Sequence, residues 1–483
     1  MSTAAPASPT RWWALCVLGL AQLMVVLDGT IVAIALPAAQ AELGMADGQR
    51  QWVVTAYAVA FSALLLLGGR IADYWGRKRT FMVGMVGFGV ASVWGGLAQS
   101  GAELIAARGL QGVFAALIAP AALAMITVLF PSGRERNVAF AAFGIIAGTG
   151  AAFGFLLGGV LTQYADWRWC LLVNVFFVVL ALIGGKALLV ESRAEGDNRY
   201  DLVGAVLVAL SLAALIYGFA RAEHGWGEAD TIGFLVAGAV LMVAFVWWQA
   251  RSSHPLLPLR VVQSRVRGAA FLLQACVGVV MVGAMLYLTF HFQIVLAMSP
   301  VAAGFASVAM TVVIMATAPV STKLFTTYGP RVVLTAGPLA VAAGLFYLSG
   351  ISAGGSYWTE VLPGLVLMGL GFSLVLVPVQ NLALAGVDPH DAGVASALAN
   401  ASVHVGGSIA VAVFTAIYTS SMTDSLARGT DEMSALAGAY GDTLLAAACV
   451  MVLGSATSFL MIRGSGNDVV PSGSEVVGAG RTA

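Results

Sequence analysis

The chain has 483 residues, 60% of them hydrophobic and only 10% charged, with zero formal net charge and a mean hydropathy of +0.92. Soluble domains carry about 25% charged residues, so no soluble fold could cover this much apolar surface, and the chain reads as an all-α polytopic membrane protein. Zero net charge removes the case for a nucleic-acid partner.

Crossing about 30 Å of hydrocarbon takes roughly 20 apolar residues. The first segment to qualify, 13–36, carries Gln22, Asp28 and Thr30 in the run LMVVLDGTIVAIALPAA (23–39). It is too long for a signal-peptide core, and it contains an acid, so it reads as a retained helix. An acid near the centre of a membrane helix costs about 2.5–3.5 kcal/mol on insertion. Burial disfavours the charged form, so Asp28 can take a proton in one conformation and release it in another. It is the deepest acid in the sequence, since Glu103, Glu360 and Asp442 fall at predicted helix ends. The plainer alternative is a structural carboxyl satisfied by a neighbouring helix, with Arg108 as partner.

The second segment, 52–71, contains Tyr57 and runs into GGRIADYWGRKR (68–79). Gly69 permits close helix approach, and Gly76 can take the positive φ of a tight turn. Asp73 can sit at a helix N-terminus. A merely topogenic basic loop would explain Arg77, Lys78 and Arg79 but not the glycine spacing. Segments 80–98 and 103–128 follow, the latter with RGLQG (108–112), which holds Arg108 and Gln111. Arg108 inside a membrane helix faces the interior, as a functional partner of Asp28 or as an anchor to backbone carbonyls. Segment 138–161 repeats glycine at Gly150, Gly154 and Gly158, a packing stripe. Segment 169–190 carries Asn174.

Two segments, 201–220 and 231–249, come next. Six more are 268–290, 302–322, 332–350, 358–378, 392–418 and 441–462, which makes roughly fourteen in all. The last six hold further polar residues that line a cavity or bond between helices: His291, Gln293, Gln380, Asn381, Asn400 and His404. The two histidines titrate near neutrality when unperturbed. From about 464 the tail is Gly/Ser/Val-rich and expected to be disordered. Cys16, Cys170, Cys276 and Cys449 lie singly in apolar segments and read as packing residues, not metal ligands.

With the N-terminus in the cytoplasm, eighteen Lys/Arg fall inside and four outside, namely Arg50, Arg168, Arg221 and Arg428. That bias sets the orientation. A faint repeat pairs DYWGRKRTF (73–81) with TTYGPRVVL (326–334), and a helix ending in Pro120 with one ending in Pro378. Two related halves around a midplane site form a transporter pattern.

LDGTIVAIALP (27–37), the 68–79 loop, RGLQG, GIIAGTGAAFGFLLGG (144–159), WRWCLLVN (167–174) and GVASALANASVHVGGSIAVA (393–412) resemble motifs of the major facilitator superfamily, specifically its fourteen-helix drug:proton antiporter branch. The sequence departs from that pattern at Gly154-Phe155, where Gly-Pro is usual, and at Ala33, Phe176 and Val403-His404. The resemblance implies two six-helix bundles plus two inserted helices, with both termini cytoplasmic. Its division is a tail at 1–12, a bundle at 13–190, the inserted pair at 191–267, a second bundle at 268–463 and a tail at 464–483. It implies that Asp28 and Arg108 handle the coupling proton. Gly69, Asp73, Gly76 and Arg77 would latch the halves when the cytoplasmic side closes. The helix-five glycines would make a close, pliable contact between halves.

The function expected is proton-driven export of amphipathic drugs or antibiotics by alternating access, from a monomer in a bacterial cytoplasmic membrane. No cofactor is expected beyond the proton gradient, and the chain has no phosphate-binding G-x-x-x-x-G-K-[ST] loop. The alternatives are a proton-coupled metabolite importer, or a membrane receptor or enzyme. An enzyme reading finds no nucleophile–base pair. Gly350-Ile351-Ser352-Ala353-Gly354 copies a hydrolase motif outside the strand–turn–helix context it needs. Asn400-Ala401-Ser402 copies a glycosylation sequon inside a predicted helix.

Overall fold

The computed structural model describes residues 10–130, 133–193, 201–222, 225–253, 255–387 and 392–462. Hydrocarbon offers the backbone no hydrogen-bond partner, so a spanning segment must satisfy its own amides. The described residues accordingly form helices and no strand. They are α1 (Thr10–Leu43), α2 (Asp47–Trp75), α3 (Arg77–Gly96), α4 (Gly101–Leu129), α5 (Gly133–Tyr164) and α6 (Trp169–Leu188). The chain continues through α7 (Leu202–Arg221), α8 (Ala229–Arg251), the short α9 (Leu259–Gln263), α10 (Arg265–Gly278) and α11 (Met285–Phe290). π-helical turns at Val279–Ala284 and His291–Val295 flank α11. The last helices are α12 (Pro300–Leu348), α13 (Leu362–Leu384), α14 (Ala392–Ala427) and α15 (Glu432–Met461).

Ten of these helices are long and apolar enough to cross a membrane, or eleven if α2, bent by 52° after Leu65, is one span. Among the ten, α12 counts once, although Gly329 (φ 78°, ψ 170°) breaks it where the sequence separates 302–322 from 332–350. Several helices outrun the apolar stretches expected for them, α1 reaching Leu43 and α14 Ala427. Asp442 therefore lies eleven residues into α15 and not at a helix end. Pro120 and Pro378 are inside α4 and α13, which continue to Leu129 and Leu384, so neither proline ends its helix. The proposed tail at 464–483, and residues 1–9, lie outside the described residues.

Helices α1–α6 pack on one another, as do α10–α15. The two groups meet where α5 lies on the start of α12 and where α2 lies on α14. The inserted pair α7–α8 rests across that second seam, with Val208 and Leu212 packed beside Ala63 of α2 and Val394 of α14. Asp201, the N-cap of α7, fastens this pair. Its carboxylate accepts from Gly204 N (2.8 Å), Trp248 Nε1 (2.6 Å), Gln249 Nε2 (2.6 Å) and Leu256 N (3.2 Å).

Candidate functional site

Asp28 sits near the middle of α1, and neither it nor Arg108 is more than 1% exposed. A lone charge there would be expensive, so it needs both a counter-charge and hydrogen bonds. Both are supplied. Arg108 Nη1 donates to Asp28 Oδ2 at 2.5 Å. Asn174 Nδ2 and Gln111 Nε2 donate to Oδ1 at 2.7 and 3.1 Å. Arg108 and Gln111 stand three apart on α4 and share a face, so Nη1 of Arg108 also reaches Gln111 Oε1 at 2.8 Å. Two further bonds extend the network: Arg108 Nε donates to Val53 O (3.2 Å) and Gln111 Nε2 to Ser92 Oγ (2.8 Å). The guanidinium lies over the buried Tyr57 ring, 4.4 Å from its centroid. One buried network therefore joins α1, α2, α3, α4 and α6.

Gln111, Asn174 and Tyr57, read from the sequence as candidate cavity walls, are thus supports of the Asp28–Arg108 pair. Sequence reasoning missed Ser92 and the Val53 carbonyl; nothing in the local sequence marks a serine nineteen positions before Gln111 as its partner. The other polar candidates are dispersed. Thr30 Oγ1 bonds back to Leu27 O (3.1 Å), and Gln22 is half-buried. Gln380 accepts from Gln274 Nε2 (2.6 Å), and Asn400 Nδ2 caps Ser396 O (3.0 Å). Asn381 and Asn400 are exposed. His404 meets Phe61 edge-on at 4.4 Å between ring centroids. His291 is fully buried among aromatic rings, with Tyr440 at 6.4 Å, and is not part of the Asp28 network.

The 68–79 loop departs from expectation at two residues. Gly68, not Gly69, makes the close approach: a Cβ on Gly68 would fall 2.0 Å from Ala116 O, whereas one on Gly69 would make ordinary contact with Pro120 at 3.5 Å. One position is about 100° of helical rotation, enough to turn a residue off a contact face. Asp73 lies in the last turn of α2, where it accepts from Arg77 Nε (3.1 Å) and Nη2 (2.9 Å). The acid at the N-terminus of α3 is instead Glu191, which accepts from Lys78 N and Arg79 N, both at 3.1 Å. The helix dipole and unpaired amides favour an anion there. Gly76 does take a positive φ, 124°. Asp73 and Gly76 bond within the first bundle, while Arg70 Nη2 donates out of it, to Pro255 O (3.0 Å) in the linker after α8.

The helix-five glycines also face inward to their own bundle. A Cβ on Gly150, Gly154 or Gly158 would meet Leu23, Thr30 or Ile31 of α1. The contact between bundles is made one residue further along in both cases, by Gly159 against Pro300 and by Phe155 against Gly304. Beside it, Val301 N donates to Gln163 Oε1 (3.2 Å) and Gln293 Nε2 to Ile34 O (3.1 Å). These contacts close the outer side of the seam. Beyond these contacts along the chain, Glu42 at the end of α1 accepts from Trp167 Nε1 (2.7 Å) and from Arg168, which ties the WRW motif to the first helix.

The chain matches the Major Facilitator Superfamily over residues 18–411. It is 44% identical to the puromycin resistance protein pur8 of Streptomyces alboniger, over 92% of this chain and 90% of that protein. It is 36% identical to the cephamycin export protein CmcT of Amycolatopsis lactamdurans, over 89% and 88%. It is 34% identical to the tetracenomycin C resistance and export protein of Streptomyces glaucescens, over 87% and 78%. Among solved structures it superposes on an auto-inhibited POT-family peptide transporter with TM-score 0.68 at 16% identity, covering 95% and 98%. A bacterial homologue of the lysosomal transporter Spinster, inward-facing and occupied, gives 0.65 at 16% identity, covering 94% and 97%. Those two likenesses speak for the fold alone. With the family match across most of its length, the chain belongs to the major facilitator superfamily.

Proposed function

We propose that this protein is a proton-coupled antiporter that exports amphipathic small molecules of the antibiotic class, with Asp28 as the coupling carboxylate. The observation that carries this is the donor set around Asp28. Arg108, Gln111 and Asn174 all present N–H groups to it. A carboxylate accepts from all three. Protonation removes the charge that faces Arg108 and turns one accepting oxygen into a donor, so proton uptake loosens the hold on Arg108. That event acts between α1 and α4, inside the first bundle, and can bias how that bundle meets the second. Relatives of 34–44% identity named for resistance to or export of puromycin, cephamycin and tetracenomycin support outward movement of such molecules.

In this reading fourteen spans, counting both parts of α12, form a six-helix bundle at 13–190, an inserted pair within 191–267 and a second bundle at 268–463. The protein works as a monomer. The 69–77 loop latches the cytoplasmic side in the opposite conformation, with Asp73 and Arg77 exchanging their mutual bond for one across the seam.

The test uses everted membrane vesicles with a respiration-driven pH gradient and puromycin as first probe. The expected result is substrate-dependent loss of the gradient with the wild type and none with Asp28→Asn at equal abundance. Gradient loss in Asp28→Asn equal to wild type would overturn the coupling assignment. Puromycin uptake that persists after a protonophore has collapsed the gradient would overturn proton drive.

A further inference from the structure

Arg50 is one of the largest fully buried side chains, 2% exposed, in the first turn of α2. Its Nη1 donates to Gln40 Oε1 at 2.8 Å. Gln40 in turn is fixed by the α1–α2 corner, its Nε2 donating to Met45 O at 3.2 Å. On its other side the guanidinium lies over the ring of Phe290, 4.0 Å from the centroid. Phe290 ends α11, in the other bundle, and is fully buried. Three residues further on, Gln293 donates across the same seam to Ile34 O.

We propose that Arg50 and Phe290 form a cation–π latch that holds the outer side of the transporter shut. The chemistry suits a contact that must break and re-form in every cycle. A buried cation needs compensation, and Arg50 draws on groups of different kinds from both sides of the seam. The amide oxygen of Gln40 belongs to its own bundle and travels with it. The aromatic face belongs to the other bundle and departs when the outer side opens, when water takes its place over the guanidinium. Opening therefore strands no charge. A carboxylate in place of Phe290 would hold the seam more firmly, and parting from it would leave two charges to rehydrate. The planar guanidinium also stacks on a ring as an ammonium does not. The inference rests on alternating access; it needs neither the identity of the substrate nor the role given to Asp28.

The test is a spin-label distance measurement across the outer face, on purified full-length protein in lipid nanodiscs. Labels go on Tyr164→Cys, which is 76% exposed at the end of α5, and on Gly354→Cys, where a side chain would meet open space. The exposed Cys16 and Cys449 are changed to Ser. Arg50→Gln and Phe290→Leu are each expected to raise the ratio of long to short outer distances roughly two- to tenfold over the wild type. Combined, they should do no more than the stronger single change, because either alone removes the same contact. Phe290→Trp keeps a π face and should keep the wild-type distribution. The proposal fails if the single variants leave the distribution unchanged, if their effects multiply in the double variant, or if Phe290→Trp opens the outer side as far as Phe290→Leu. Phe290→Leu alters one buried side chain and no charge, so it still decides the matter if Arg50→Gln does not fold.

Discussion

Glu191 occupies the space that any side chain on Gly76 would need: a Cβ there would lie 2.6 Å from Glu191 Oε1. The carboxylate is held in place because it caps α3 through the amides of Lys78 and Arg79. The glycine is thus required twice, once for this contact and once for its φ of 124°.

Gly76→Ala should therefore cost about 1–3 kcal/mol for the backbone strain alone, and more for the clash. In Gly76→Ala/Glu191→Ala the steric part vanishes while the strain and the lost cap remain. Thermal unfolding of detergent-solubilised protein should show the double variant less destabilised than the sum of the singles. Strict additivity would mean that the two residues do not meet.

Arg108→Met leaves Asp28 as an uncompensated buried charge, which typically costs 3–5 kcal/mol. Adding Asp28→Asn removes that charge, so Asp28→Asn/Arg108→Met should unfold at a higher temperature than Arg108→Met alone while remaining inactive in transport. An equal or lower unfolding temperature in the double variant would argue against the pairing.

Gly154→Ala would place a methyl 2.0 Å from Thr30 Oγ1 and 3.0 Å from Leu27 O. Overpacking of this kind costs about 1–3 kcal/mol. Thr30→Ala should restore part of the loss by removing the closer atom, while the Leu27 carbonyl keeps the restoration incomplete. Membrane abundance and unfolding temperature of the two single variants and the double variant measure it.

Asp201→Ala removes an acceptor shared by four donors on α7, α8 and the following loop. Leaving buried donors unsatisfied costs about 1–3 kcal/mol each when water cannot reach them. The expected outcome is a lower unfolding temperature and easier proteolysis between α8 and α10, with transport per folded molecule unchanged. Resistance of this region to proteolysis at the wild-type level would mean that the fastening lies elsewhere.

The apolar runs were legible because hydrocarbon leaves the backbone few choices, and Asp28 stood out for the same reason. Its partners were harder to assign. Gln111 and Asn174 were visible as polar residues in membrane segments, but they lie 83 and 146 positions from Asp28, and only packing decides which of many such residues meet. Gly68 and Gly69 differ by one position and face different neighbours, a distinction no local pattern carries. Glu191 resembled linker. The signal that was there to read is an acid placed just beyond the sixth segment, opposite a loop of three basic residues. Arg50 was counted only as an outside charge, because a charge tally does not register that the α1–α2 corner folds the side chain inward.

Lys78 and Arg331 hold matching places in the two copies of the cytoplasmic hairpin, two residues after Gly76 and Gly329. Lys78 Nζ donates to Leu189 O (2.6 Å), at the end of α6. Arg331 Nε donates to Phe459 O (3.2 Å), near the end of α15. In each bundle the third helix is thereby riveted to the tail of the sixth, and the chain is closed into a ring before it leaves. A ring of this kind does not depend on the covalent thread that joins it to the next. Halves made as two separate polypeptides, cut between α8 and α10, should find each other in the membrane and work as a pair.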